Sequence, residues 1–273
     1  MLPRVDLIKT EDASWLLMNS PDYITAAIKK DGAWGTIESS ICRVFLRGLR
    51  HPIVIDAGAN IGSFAVPIAQ TLMQQNGKLY CFEPQRIVFQ QLCANLFVNR
   101  IDNVHAHNTA LGETAGSVDI PELDFEHSQN VGGFSIDETI RGKISKSSAQ
   151  GATPANKLRD DLPGYRVEKR TLDSFSIAKD IAFIKADVEG YELEFFQGAV
   201  NTLKNNGFPP IFFELWQNLD WYAEKAARTT KFLSDLGYEF ENFGIETLAQ
   251  HPANPAKVLI KKQGGRAKLV LKR

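Results

Sequence analysis

At 273 residues and 44% hydrophobic composition, the chain can bury a full core and fits one α/β domain with extensions better than two domains. Its 31 Lys and Arg against 32 Asp and Glu leave a formal charge of −1, which excludes both a basic excess for nucleic acid and an acidic solvating tail. Three cysteines (Cys42, Cys81 and Cys93) without paired spacing exclude a disulfide framework. The N-terminus lacks a charged region followed by an apolar one, and no stretch reaches membrane-spanning length. A soluble, cytoplasmic setting is expected, and the oligomeric state is not legible.

Residues 1–50 read as a helical and irregular extension, with Ile37, Ile41, Val44, Phe45 and Leu49 as one apolar helical face. The main domain is placed at 51–273. Pro52 to Asp56 is a short apolar strand, 58–62 its turn, and Ser63 to Gln75 a helix. Lys78 to Glu83 is a second strand, and Pro84 is placed to open the next helix. Val104 to Ala110 reads as a third strand and Ser117 to Ile120 as a short one. Residues 122–165, rich in Ser, Gly, Asn and charge, read as a long loop insertion, disordered around 141–160. Regularity returns with the strand Ile181 to Asp187, a helix from Tyr191 to Lys204, the strand Pro210 to Leu215, a helix from Ala223 to Leu236, Tyr238 to Phe243, and a last strand at Lys257 to Lys261. The basic residues Lys261, Lys262, Arg266, Lys268, Lys272 and Arg273 read as a solvated tail.

Apolar strands alternating with amphipathic helices predict a mostly parallel sheet covered on both faces, a Rossmann-like α/β fold. Ligands in such sheets sit at the carboxyl ends of the strands, where the strand order reverses. That rule selects Asp56, Glu83, Asn108, Asp187 and Glu214. The turn Asp56-Ala57-Gly58-Ala59-Asn60-Ile61-Gly62 spaces its glycines as Gly58-x-x-x-Gly62, not as the G-x-G-x-x-G of a nicotinamide site. It suits a ligand with no pyrophosphate, such as S-adenosylmethionine, with Glu83 accepting bonds from the ribose hydroxyls.

Val54 to Gly62, Phe82-Glu83-Pro84, Asn108 to Gly112, Thr171-Leu172-Asp173 and Phe183 to Glu192, with its Asp187-Val188-Glu189-Gly190-Tyr191-Glu192 run, resemble the FkbM-family methyltransferases over about Pro52 to Leu215. The resemblance implies a class I methyltransferase fold with a seven-stranded sheet and a final antiparallel strand. It also implies S-adenosylmethionine as cofactor and O-methylation of a sugar, polysaccharide or secondary metabolite. By that resemblance Asp56, Gly58, Asn60 and Gly62 line the methionine end of the cofactor, Glu83 holds the ribose, Asn108, Ala110 and Leu111 lie beside the adenine, and Asp187 lies near the sulfonium.

An alcohol acceptor must lose a proton, to a carboxylate, a histidine or a metal-bound base. Asp187, Glu189 and Glu214 are the catalytic candidates, and the acidic group they form with Glu192 is a candidate oxygen-ligand site for a divalent cation. Glu192 reads as a solvent-facing first-turn residue. Lys185, interrupting an apolar strand, reads as an ion-pair partner for one of the acids. On the acceptor side, Phe134 in the glycine-bearing stretch 130–135 is a candidate gate. His127 is an alternative base. Trp216 and Trp221 are either a sugar-stacking wall or helix packing. The expected partner is a small-molecule or carbohydrate acceptor, with no nucleic acid. The alternative is an N-methyltransferase acting on protein or nucleic acid, although the sequence lacks an Asn-Pro-Pro-aromatic tetrad and a basic, aromatic-interleaved surface. A non-catalytic cofactor-binding module would keep its role without Asp187 and Glu214.

Overall fold

The computed structural model describes residues 2–149, 156–159, 161–263 and 266–272. In chain order the elements are β1 (Val5–Lys9), β2 (Ser14–Met18), α1 (Tyr23–Asp31), α2 (Thr36–Leu46), β3 (Ile53–Ala57), α3 (Ala65–Met73), β4 (Lys78–Phe82), α4 (Arg86–Val98), β5 (Val104–His107), β6 (Ala110–Leu111), β7 (Gly116–Ile120), α5 (Glu138–Ala149) and β8 (Tyr165–Arg170). After a 3-10 turn at Leu172–Phe175 come β9 (Ile181–Ala186), α6 (Glu192–Gln197), α7 (Val200–Asn205), β10 (Ile211–Glu214), α8 (Ala223–Asp235), β11 (Glu239–Phe243), β12 (Glu246–Gln250), β13 (Lys257–Gln263) and β14 (Arg266–Lys272).

Seven strands form the central sheet in the order β11-β12-β10-β9-β3-β4-β5. β3, β4, β5, β9 and β10 run parallel, and β12 enters antiparallel to both β10 and β11. This is the Rossmann-like arrangement with an antiparallel last strand. The strands alternate between two buried faces. Val54, Leu79, Cys81, Phe183, Phe212 and Leu248 pack with residues of α2, α3 and α4. Ile55, Ala57, Ile184, Ala186, Ile211 and Phe213 pack with residues of α6 and α8. Burial on both sides explains why these strands read as continuous apolar runs. The order turns at β3, with β4 and β5 on one side and β9 and β10 on the other, so the crevice opens beyond the carboxyl ends of β3 and β9.

The all-helical reading of residues 1–50 gives way to a hairpin, β1-β2, followed by two helices. β2 satisfies its free backbone edge on a helix instead of a strand. Asn95 Oδ1 accepts from Leu16 N at 2.7 Å, Asn99 Oδ1 from Ser14 N at 2.8 Å, and Gln91 Nε2 donates to Leu16 O at 2.9 Å. These α4 residues recur every four positions, so one helical face reads the strand edge. In α2 the buried stripe is Glu38, Ile41, Cys42 and Phe45, while Ile37 is 49% exposed.

The remaining differences have local causes. α4 begins at Arg86, not at Pro84, because Glu83 Oε1 holds the Gln85 N–H at 2.8 Å. The third strand stops at His107, where Asn108 Nδ2 turns to Glu83 O and Pro84 O. β6 then joins a separate sheet, β6-β8-β7. The helix after Tyr191 breaks at Gly198, where a Cβ would strike the Gly112 carbonyl, and Asp173 restarts it by accepting from Asn201 N and Thr202 N. Within 122–165 the structure holds α5, and residues 150–155 of the region expected to be disordered lie outside the described residues. The final strand of the sheet is β12, not Lys257 to Lys261. β13 pairs instead with β14, so the basic C-terminus is a hairpin rather than a tail. Among the described residues no helix is long and apolar enough to cross a membrane.

Candidate active site

β3 ends in a turn that only glycine can make. Gly58 adopts φ +79°, and a side chain there would run into the Asp187 carbonyl oxygen at the end of β9. The two strand ends therefore approach to backbone distance, with Asp187 N donating to Ala57 O at 2.9 Å. Glu83, at the end of β4, turns back over this bend. Its Oε2 accepts from Asn60 N at 2.9 Å and its Oε1 from Gln85 N at 2.8 Å. Burial pushes the Glu83 carboxyl up to about 7 against the pull of those two N–H groups. An ionised carboxylate offers about four lone-pair positions, so two remain for a vicinal diol.

The cleft at this point measures about 430 Å³ including its open mouth. It is lined by Gly58, Glu83, Ala110, Leu111, Phe134 and Glu189, with Gln85, Thr109, Gly132, Ile136, Asp187 and Val188 completing the wall. Its clear interior is about 30 Å³, room for one or two waters. The 132–136 segment forms part of its wall. Gly132 rests against the Asn60 side chain, and Phe134 is buried beneath the Arg141 guanidinium, 5.1 Å from the ring centroid.

Several residues expected in the cofactor cleft stand behind it. Asp56 is 0% exposed and faces the Lys185 ammonium at 3.3 Å, so it is an ion-pair partner, not a wall residue. Asn60 contributes its backbone N–H to Glu83, while its side chain accepts from Ile61 N. Gly62 packs on Leu92 at the start of α3. Asn108 braces the β4 end through two carbonyls. His127 lies on the exposed side of a loop, bonded to Asp124 at 2.8 Å, and does not line the cleft. Trp216 packs with Trp221 and Tyr222 and against Gly190, which is the helix-packing alternative.

The acids at the far end do converge. Asp187, Glu189 and Glu214 place carboxylate oxygens within 4.8 Å of one another. Glu189 holds φ +53°, a left-handed conformation unusual for a residue with a side chain. Burial, and then repulsion from neighbouring carboxylates (Glu214 on Glu189, Asp187 on both), drive the Glu189 and Glu214 carboxyls well above the usual range. Lys185 pairs as the sequence suggests, reaching Asp56 at 3.3 Å, Asp187 at 3.5 Å and the Gly58 carbonyl at 3.2 Å. Burial opposes its charge, but Asp56, Asp187 and Glu38 outweigh burial and keep it protonated. Glu192 is buried rather than solvent-facing. It accepts from Val188 N and Gly190 N at 3.2 Å and from Tyr222 Oη at 3.0 Å, and so shapes the turn that carries Glu189. Sequence reasoning did not single out Glu38, whose charge is felt by the buried Lys185. The available signal for Glu38 was a single acid at helical spacing from Ile41, Cys42 and Phe45.

The chain is 27% identical over 166 residues to the methyltransferase sdnD of Sordaria araneosa, a match spanning 54% of this chain and 60% of that protein. Among solved structures it resembles a methyltransferase FkbM from Methylobacillus flagellatus (17% identity, TM-score 0.46, 74% of this chain and 44% of that one). It also resembles an S-adenosylmethionine-dependent O-methyltransferase from Thermotoga maritima (13% identity, TM-score 0.42, 97% and 71%). The model of the methyltransferase FkbM domain matches residues 56–240, from the β3 bend through the sheet to β11, and the chain belongs to that family.

Proposed function

We propose that the chain is an S-adenosylmethionine-dependent methyltransferase that methylates a hydroxyl of a sugar, polysaccharide or secondary metabolite. The observation that carries this reading is the placement of Glu83. A buried carboxylate with free lone pairs stands over a glycine bend at the sheet's switch point, in a cleft with no cationic side chain among its lining residues to receive a phosphate. In this reading Gly58 leaves room for the amino-acid end of the cofactor. Glu83 holds the ribose diol, and Ala110 and Leu111 supply an apolar floor for the adenine.

When bound, S-adenosylmethionine supplies an electrophilic methyl carbon on a positively charged sulfur. The chain's part is to orient the acceptor for in-line attack and to take its proton. Asp187, Glu189 and Glu214 are the proton acceptors in reach of that end. Their spacing also suits an oxygen-ligated divalent cation, which would lower the acceptor's own pKa.

Thermal shift and calorimetry with S-adenosylmethionine and S-adenosylhomocysteine test the cofactor assignment, since a ligand of the native state raises stability. Absence of both signals overturns it. A panel of hydroxylated acceptors with radiolabelled cofactor tests the acceptor class, and label entering protein or RNA overturns O-methylation of a small molecule. Activity that survives a strong chelator removes the cation.

A further inference from the structure

We propose that a second cavity, which shares Phe134 and Ile136 with the cofactor cleft, takes the methyl acceptor, and that Arg141 in its lining selects an acceptor with an apolar body and a carboxylate. The proposal rests on the methyltransferase reading above and names the substrate class of that reaction.

The two hollows meet at one stretch of chain. Phe134 and Ile136 line both of them. This stretch runs from the glycine bend to the acids. At one end Gly132 rests against the Asn60 side chain, and at the other Ile140, in the first turn of α5, packs on Gly190, beside Glu189. Lys225 holds Asp137 at 3.7 Å and reaches Glu194 on α6 at 2.9 Å, which fastens the start of α5 there. The chain that walls the second cavity is thus packed on the turn that carries the acids, at the end of the cleft where an acceptor must arrive.

The clear interior of this cavity is about 840 Å³, within the range of about 300–1,000 Å³ usual for small-molecule sites. Val118 and Ile120 of β7, Ile144 of α5 and Leu158 give it an apolar side, which favours burial of an apolar body. Most of its polar side chains are engaged. Ser135 Oγ accepts from Asp137 N at 3.2 Å, Asn156 Nδ2 donates to Gly133 O at 3.2 Å, and Asp119 pairs with Arg166 at 3.0 Å.

Arg141 stands apart from these. It is the one cation among the described residues of the lining, and it is half-buried. Its Nη1 donates to Ser135 O and Ile136 O, each at 3.0 Å, and its guanidinium lies over the Phe134 ring. Among the described residues no carboxylate bonds to it, and burial works against its charge. Nε and Nη2 remain, the edge by which a guanidinium grips a carboxylate through two parallel bonds. Glu138, exposed in the same lining, favours a ligand with a single negative charge over a phosphate with two.

Because Arg141 lies over Phe134, at the shared wall, the carboxylate and the hydroxyl to be methylated belong at the same end of the acceptor, as in an aromatic hydroxy acid. Transfer joins the hydroxyl oxygen to the methyl carbon as the carbon–sulfur bond breaks. The hydroxyl proton passes to one of the acids, and the products are a methyl ether and S-adenosylhomocysteine.

The test is calorimetry on the full chain loaded with S-adenosylhomocysteine, titrated separately with an ortho-hydroxynaphthoic acid, its carboxamide and the matching aminomethyl naphthol. The expected result is binding of the acid at least roughly tenfold tighter than the amide, with the amine weakest. Arg141→Gln should bring acid and amide together, whereas a merely structural loss at the Phe134 wall would weaken both alike and keep their ratio. Lys146→Gln, which removes an exposed charge of the same helix outside the lining, should leave the preference intact. Gly142 lines the cavity, and a Cβ there meets nothing within 4 Å. Gly142→Phe therefore fills the cavity with a residue that α-helices accept better than glycine. It should abolish binding of the acid while melting temperature and S-adenosylhomocysteine affinity stay near wild type. No binding of the acid, equal affinity for acid and amide, a preference that survives Arg141→Gln, or undiminished binding in Gly142→Phe overturns the proposal while the cofactor reading stands. Failure of S-adenosylhomocysteine itself to bind overturns both.

Discussion

Lowering the pH from 8 to 6 should weaken binding of S-adenosylhomocysteine by roughly tenfold, and Glu83 should be the cause. The buried Glu83 carboxyl, raised to about 7, is mostly ionised at pH 8 and mostly protonated at pH 6. Only the ionised form can accept from Asn60 N, from Gln85 N and from both hydroxyls of a ribose. If the protonated form does not bind, the dissociation constant rises about tenfold across that interval, close to 1.4 kcal/mol. Stability runs the opposite way. A carboxyl whose folded pKa lies above its unfolded value binds protons more tightly when folded. Its contribution therefore favours the fold most below about 4.5 and is lost as pH rises to about 7, at an order-of-magnitude cost of 3 kcal/mol. The chain thus carries a Glu83 that is half ionised at neutral pH, and ionising it fully costs stability, which fits a ligand-binding role. Calorimetric titration at half-unit pH steps, with Glu83→Gln in parallel, separates this group from Glu192 and Glu246, which are also raised to about 7. A flat wild-type profile, or a slope that persists in Glu83→Gln, refutes the assignment.

Gly58→Ala should cost roughly 2–5 kcal/mol, combining a left-handed backbone with displacement of the Asp187 carbonyl. Chemical denaturation measures the cost, and calorimetry should find cofactor binding lost. Lys185→Met strands the fully buried Asp56 and should destabilise by about 3–5 kcal/mol at neutral pH, with partial recovery in Lys185→Met/Asp56→Asn. Asn95→Leu leaves Leu16 N and Ile61 O unpaired. Its expected loss is roughly 2–4 kcal/mol, together with faster amide exchange in β2.

The sheet and the glycine bend with Glu83 over it were legible because they follow from local rules. Buried parallel strands show as apolar runs, and a glycine bend shows as glycine spacing. Glu83 is placed by the strand it terminates. What escaped the sequence depends on partners distant along the chain. β2 has its edge bonded by Gln91, Asn95 and Asn99, some 80 residues away, and no alternation within 14–18 announces that. Asp56 looked like a ligand residue because it ends a strand at the crevice, but strand parity turns it to the α2 face, where Lys185 meets it. Glu192 looked exposed because it opens a helix, yet the turn before it needs an acceptor for two N–H groups. Least legible was the company Glu214 keeps, since Glu246 comes to stand opposite it only in the β10–β12 register.

Asp22 joins the two halves of this picture. Its Oδ2 caps α1 through Thr25 N at 2.9 Å, and its Oδ1 accepts from Val131 N at 3.0 Å, three residues before Phe134. It is buried, so neither bond is readily replaced by water. The same carboxylate therefore holds the start of α1 and the loop that leads into the cleft wall, so loosening one should loosen the other. Asp22→Ala removes a cap worth about 1 kcal/mol and leaves the Val131 N–H unpaired at a cost of about 1–3 kcal/mol. Asp22→Asn keeps one acceptor oxygen and should restore the cap more fully than the loop bond. Hydrogen exchange should show 131–136 opening faster in both variants, and S-adenosylhomocysteine should leave faster in stopped-flow displacement. If exchange in 131–136 is unchanged while α1 loosens, the loop is held by its own Asn130–Gly133 bonds and the two segments move independently.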